Sequence, residues 1–89
     1  MSDELRAKIP EYTANAIDIW VTEGALPGDF LYNVLTNNLF SAVGHADQRN
    51  LQALPEIVQY IYNYTPSACW GSKEKVNKWA EDMEVYKTN

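Results

Sequence analysis

Apolar positions recur at steps of three and four along most of this chain, and turn-forming residues divide the recurrence into about four segments. The clearest segment leads into residues 54–64. Leu51, Leu54, Ile57, Val58, Ile61 and Tyr62 fall on one helical stripe, with Gln52, Glu56, Gln59 and Asn63 on the other side. Ile, Val and Tyr also favour strands, and Tyr60, Tyr62 and Tyr64 alternate, so a strand competes here. The three-four phase covers more residues and decides for helix. Pro55 fits only the first turn, where an amide has no partner, so this helix begins between Asn50 and Leu54. Thr65-Pro66 ends it, because the residue before proline avoids the α region.

The other segments read similarly. A first helix starts near Ile9 with Pro10 in its first turn. Ile9, Tyr12, Ala16, Ile17 and Trp20 face inward, Glu11, Asn15, Asp18 and Glu23 face outward, and Gly24 stops it. Asp29 caps a second helix that turns Leu31, Val34, Leu35, Leu39, Ala42 and Val43 inward and ends at Gly44 or His45. Asn33, Asn37 and Asn38 are poor residues for its interior, because their side chains compete for backbone bonds. Residues 46–52 form a polar connector that can also be helical. Ser72 caps a last helix, with Glu74 in its first turn, Val76, Trp79, Ala80 and Met83 on its stripe, and Tyr86 extending it. Residues 1–8 fray or add a helical turn, and 87–89 are loose. The expected fold is all-α: one domain over residues 1–89, a compact bundle of about four short helices.

Composition agrees with a folded domain. An apolar share of 46%, with three Trp and six Tyr, opposes disorder. No run approaches the ~20 apolar residues of a membrane span, and the opening Met-Ser-Asp-Glu-Leu-Arg lacks the apolar core of a signal peptide. A soluble cytoplasmic protein is the expectation. One cysteine suits a reducing compartment and cannot build a cysteine-rich zinc site. Eleven aromatic residues (three Trp, six Tyr, two Phe) are many for so small a core, which points to a homo-oligomer.

Charge changes the picture further. The net charge is −5, and Arg49 is the only cation from residue 9 to residue 72. Glu11, Asp18, Glu23, Asp29, Asp47 and Glu56 share that span. Nucleic-acid binding needs a continuous basic face, so none is expected.

An ordered set of residues carries a resemblance: Pro27-Gly28-x-Phe30-Leu31, Val34-Leu35-x-Asn37, Ala46-Asp47 with Asn50, Ile57-Val58 with Tyr62-Asn63, then Pro66, Cys69-Trp70-Gly71-Ser72, Glu74-Lys75-Val76 and Trp79. Over about residues 17–79 the chain resembles a group of small uncharacterised proteins of tailed-phage and prophage genomes. That group has no established activity, so no functional residue carries over. The resemblance implies a setting, a phage accessory protein in a bacterial cytoplasm.

Candidate chemistry is sparse. Cys69 and His45 have the types of a nucleophile and its base, but no third partner or oxyanion donors accompany them. A lone cysteine beside Trp in a turn is more often a small buried apolar residue. His45 with Asp47 falls short of a metal site, so no catalytic residue, metal or cofactor is expected. Arg49, isolated among acids, is either a recognition group for phosphate or carboxylate or one half of a surface pair with Asp47 or Glu56. Trp70 either stacks on a partner or plugs the corner between the last two helices, with Gly71 permitting the turn. Asn33, Asn37 and Asn38 form a polar, uncharged edge that either reads a ligand or is merely a solvated face of poor helix propensity. Arg49, Asn37, Asn38, His45 and Trp70 are therefore the candidate binding residues. The leading expectation is a non-enzymatic protein that blocks a host defence or nucleic-acid-processing protein through an acidic, aromatic surface. The alternatives are an oligomeric sponge for a small anionic nucleotide signal, and a structural phage component.

Overall fold

The computed structural model describes residues 2–88, with side chains described from residue 3 to residue 84. The described chain is all-helical. Its elements are α1 (Ser2–Ala7), α2 (Glu11–Glu23), α3 (Asp29–Leu35), α4 (Leu39–His45), α5 (Gln48–Gln52), α6 (Leu54–Tyr64), a 3-10 turn (Ser67–Cys69) and α7 (Lys73–Thr88). Seven α-helices thus stand where about four were expected. The extra helices have local causes.

The expected second helix breaks between α3 and α4. Asn37 takes the left-handed conformation with φ 64°, which asparagine tolerates better than most residues. The amides of Asn37 and Asn38 then bond back to the carbonyls of Val34 (3.1 Å) and Asn33 (2.8 Å). The polar connector becomes α5 because the Asp47 carboxylate accepts the Asn50 amide at 2.8 Å, an N-cap. Pro55 separates α5 from α6: it has no amide to offer the Leu51 carbonyl, and its ring crowds that carbonyl. At the N-terminal end the helical form prevails in α1. Arg6 fastens it, pairing with Asp18 at 2.6 Å, donating to the Tyr60 hydroxyl at 3.2 Å and reaching Asn15 at 2.9 Å.

The centre of the core is Trp20, fully buried with Ile17, Leu35, Ile57, Cys69 and Val76. Its indole donates to the Cys69 carbonyl at 3.0 Å, and its own carbonyl accepts the Trp79 indole at 3.2 Å. Two aromatic donors are thereby satisfied, and α2, the 3-10 turn and α7 are tied together. Gly24 ends α2 with φ 72°. A Cβ there would lie 2.4 Å from that of Met83, so glycine also lets α7 approach. Ser72 caps α7, its hydroxyl accepting the Lys75 amide at 3.2 Å. Asp29 is instead the first residue of α3, with Gly28 in the cap position and no side-chain cap bond. The side chain of Tyr86 lies outside the described residues.

Several residues expected inside are outside. Tyr12, Leu39, Val43, Leu51, Val58 and Tyr62 are all exposed. Thr13, Ala14, Phe30, Ala53 and Tyr60 are buried in their stead. On α2 the reason is polar: Thr13 donates to Asn50 at 2.5 Å inside the protein, and that pair takes the inward position. Tyr12 turns outward and donates to Asp47.

Candidate functional site

Three of the exposed apolar residues, Leu39, Val58 and Tyr62, help to line a groove of about 330 Å³ between the α3–α4 bend and α6. Asn33, Val34, Asn37 and Asn38 form one end and Leu39 and Ala42 one wall. Leu54, Val58, Ile61 and Tyr62 line it from α6, and Trp70 and Gly71 complete the lining. Gly71 is fixed beside the end of α3, its amide donating to the Leu35 carbonyl at 2.7 Å. Gly71 has φ 118°, a conformation that L side chains rarely adopt. The bond also satisfies a carbonyl left open at the end of α3.

Among the described residues, none that lines the groove carries a formal charge. The origin lies in the sequence: residues 30–46 and 57–72 contain no Asp, Glu, Lys or Arg, and the fold brings these two stretches face to face. Tyr62 and Trp70 pack with ring centroids 5.6 Å apart, within the range of interacting aromatic pairs. The Trp70 indole N–H is shut off from solvent and donates to nothing among the described residues. Such an orphan costs about 1–3 kcal/mol. Phe40, next to Leu39, is 90% exposed.

Of the five candidate residues, the fold gathers Asn37, Asn38 and Trp70 at this groove and leaves His45 and Arg49 outside its lining. His45 is the exposed last residue of α4, with Nδ1 2.8 Å from the Ser41 carbonyl oxygen, to which it donates. Arg49 is exposed on α5, its guanidinium 5.5 Å from the centre of the Tyr12 ring. It sits on a charged flank with Lys8 and Glu56. Asp47 lies close by, held below the usual carboxylate range first by the Tyr12 hydroxyl and then by the Asn50 amide. Arg49, Asp47 and Tyr12 thus form one exposed cluster, and the amide edge belongs to another surface.

Cys69 is fully buried, and burial raises its pKa. A thiol held protonated in the core is a poor nucleophile. Among the described residues no group of three or more His, Cys, Asp or Glu side chains is placed to hold a metal. No helix among them is long and apolar enough to cross a membrane.

Residue-by-residue reading missed Leu39, Phe40 and Val58 as surface groups, assigning those it placed to the core. The signal that finds them is the pair of charge-free stretches, which are longer than the core requires. Comparison of the chain with protein-family models, with curated proteins and with solved structures finds no match.

Proposed function

We infer that the chain is a non-enzymatic phage accessory protein. It acts in the bacterial cytoplasm by covering a host defence or nucleic-acid-processing protein with its acidic, aromatic surface. The observation that carries this reading is how the central charges are disposed. Arg6 is occupied by Asp18, and Arg49 rests over Tyr12. Glu11, Asp29 and Asp47 are exposed. Exposed carboxylates, with these two arginines engaged, complement a basic nucleic-acid site, and complementary charge speeds association. The protonated, buried Cys69 supports a binding role over a catalytic one.

Immobilising the chain and passing a host extract over it at low salt tests the reading. The expected result is a basic nucleic-acid-processing protein, retained at low ionic strength and released as salt rises. Glu11→Gln with Asp29→Asn should slow its association. Stoichiometric heat on titration with a nucleotide, with no host protein retained, would replace this reading with the nucleotide sponge.

A further inference from the structure

We propose that the groove face pairs with the same face of a second copy of this chain, Phe40 of each copy entering the groove of the other. The inference goes beyond the host-binding reading and does not depend on it.

Area is the first argument. Phe40 is 90% exposed, Tyr62 68% and Leu39 61%. Val43, one turn from Leu39, and Val58, one turn from Tyr62, are each more than two-fifths exposed. Counting a fully exposed aromatic at ~150–250 Å², Leu39, Val58 and Tyr62 of the groove, with Phe40 and Val43 beside it on α4, offer on the order of 600 Å² of apolar side chain per copy. With the Asn37 and Asn38 amides at its edge the face approaches the ~800 Å² per partner that a standard stable interface buries. It also stands at the upper end of the ~300–600 Å² that the largest apolar patch of a monomer covers.

Charge selects the occupant. Each copy carries a net charge of −5. Two such copies repel unless they meet where carboxylates are absent, and none of the described residues lining this groove is charged. A basic partner would gain nothing here, because there is no carboxylate for it to meet. A second copy loses nothing, since its own contacting face is equally neutral.

Shape agrees. Phe40 projects from α4, the helix whose Leu39 and Ala42 form one wall, so knob and groove are neighbours. A two-fold axis near α4 places each knob opposite the other's groove, as a self-complementary interface requires. A cavity of ~150 Å³ holds a benzene ring. This groove, at about 330 Å³, has room for a phenyl group. The Asn37 and Asn38 amides both donate and accept, so they can pair with their own copies across the axis.

Sedimentation velocity of the full chain from low-micromolar to millimolar concentration is the test. The expected result is a shift from the 10.1 kDa monomer to a species of twice that mass. Phe40→Asp should weaken the dimer roughly a hundredfold, since it places a carboxylate in the partner's groove. Its circular dichroism and melting temperature, taken where the parent is monomeric, should match the parent's, because Phe40 is almost free of intrachain burial. Added salt should strengthen the dimer by screening the two acidic bodies. Host capture should weaken under the same salt, so the two readings fail separately. A wild-type chain that stays at monomer mass throughout would overturn the proposal. So would a Phe40→Asp chain that dimerises like the parent.

Discussion

Two flanks of the apolar stripe of α6 are almost equally apolar in sequence and meet opposite fates. On one flank Ile57 and Tyr60 are buried. There the Tyr60 hydroxyl donates to Asp18 at 2.9 Å and accepts from Arg6 at 3.2 Å, so the one polar tip is fully used. On the other side Val58 and Tyr62 stand exposed, and the neighbouring indole of Trp70 has its N–H unused. The closed side is finished by residues from α1 and α2. Within one copy, the open side is covered only in part among the described residues, by the Trp70 ring against Tyr62. An apolar stripe states which residues need cover, and it does not say which chain supplies it. Where one helix has more stripe than its own domain can enclose, the surplus is available for an interface.

Truncating each side in turn should expose that difference most strongly. Ile57→Ala should cost ~2–5 kcal/mol in chemical denaturation, because Ile57 is fully buried. Val58→Ala, one position along, should cost less than ~1 kcal/mol in the monomer. Equal losses at both positions would erase the distinction between the sides.

The two polar tips give a smaller contrast. Tyr60→Phe removes bonds to partners that are themselves partly exposed, and should destabilise by about 1 kcal/mol. Trp70→Phe removes an orphaned donor, so its loss of packing should be largely offset, leaving a change within ~0.5 kcal/mol. A Trp70→Phe loss larger than that of Tyr60→Phe would mean that the indole N–H has a partner.

The smallest effect is in pH. Burial, followed by the bond to Asp18, raises the Tyr60 pKa above its ordinary value. The folded chain therefore holds that proton more tightly than the unfolded chain. Its contribution should be complete below about pH 10, the ordinary tyrosine value, and be lost as pH rises from there through the folded pKa. At the acid end the depressed Asp47 works the other way. Its contribution is present above the ordinary carboxylate range and fades as pH falls through its lowered value. Alkaline and acid denaturation of Tyr60→Phe and Asp47→Asn against the parent would read out each term.

How much of this was legible beforehand follows from how local each cause is. The cap at Ser72, the stop at Gly24 and the breaks at Pro66 depend on neighbours in sequence, and the core positions Ile17, Trp20, Ile57 and Val76 lie in phase with their helices. The break at Asn37 had a visible weakness, three asparagines in one helix. What the sequence does not display is the Leu35 carbonyl finding the Gly71 amide across 36 positions, which helps fix the end of α3. Tyr12 was misplaced for a similar reason, since the buried Thr13–Asn50 bond joins residues 37 positions apart. At the groove, the charge-free stretches could be read directly, but their convergence needed the fold. Arg49 drew notice as a lone cation, and its position over Tyr12 shows a local cluster.

The central claim is that one side of α6 is core and the other is a surface awaiting a second copy. Methyl resonances recorded from low-micromolar to millimolar protein test both halves together. The account predicts that Leu39, Val43 and Val58 shift with concentration while Ile17, Ile57 and Val76 stay in place, and that Phe40→Asp abolishes the shifts. Static resonances for Leu39, Val43 and Val58 across the whole range, or shifts spread evenly over core and groove, would contradict it.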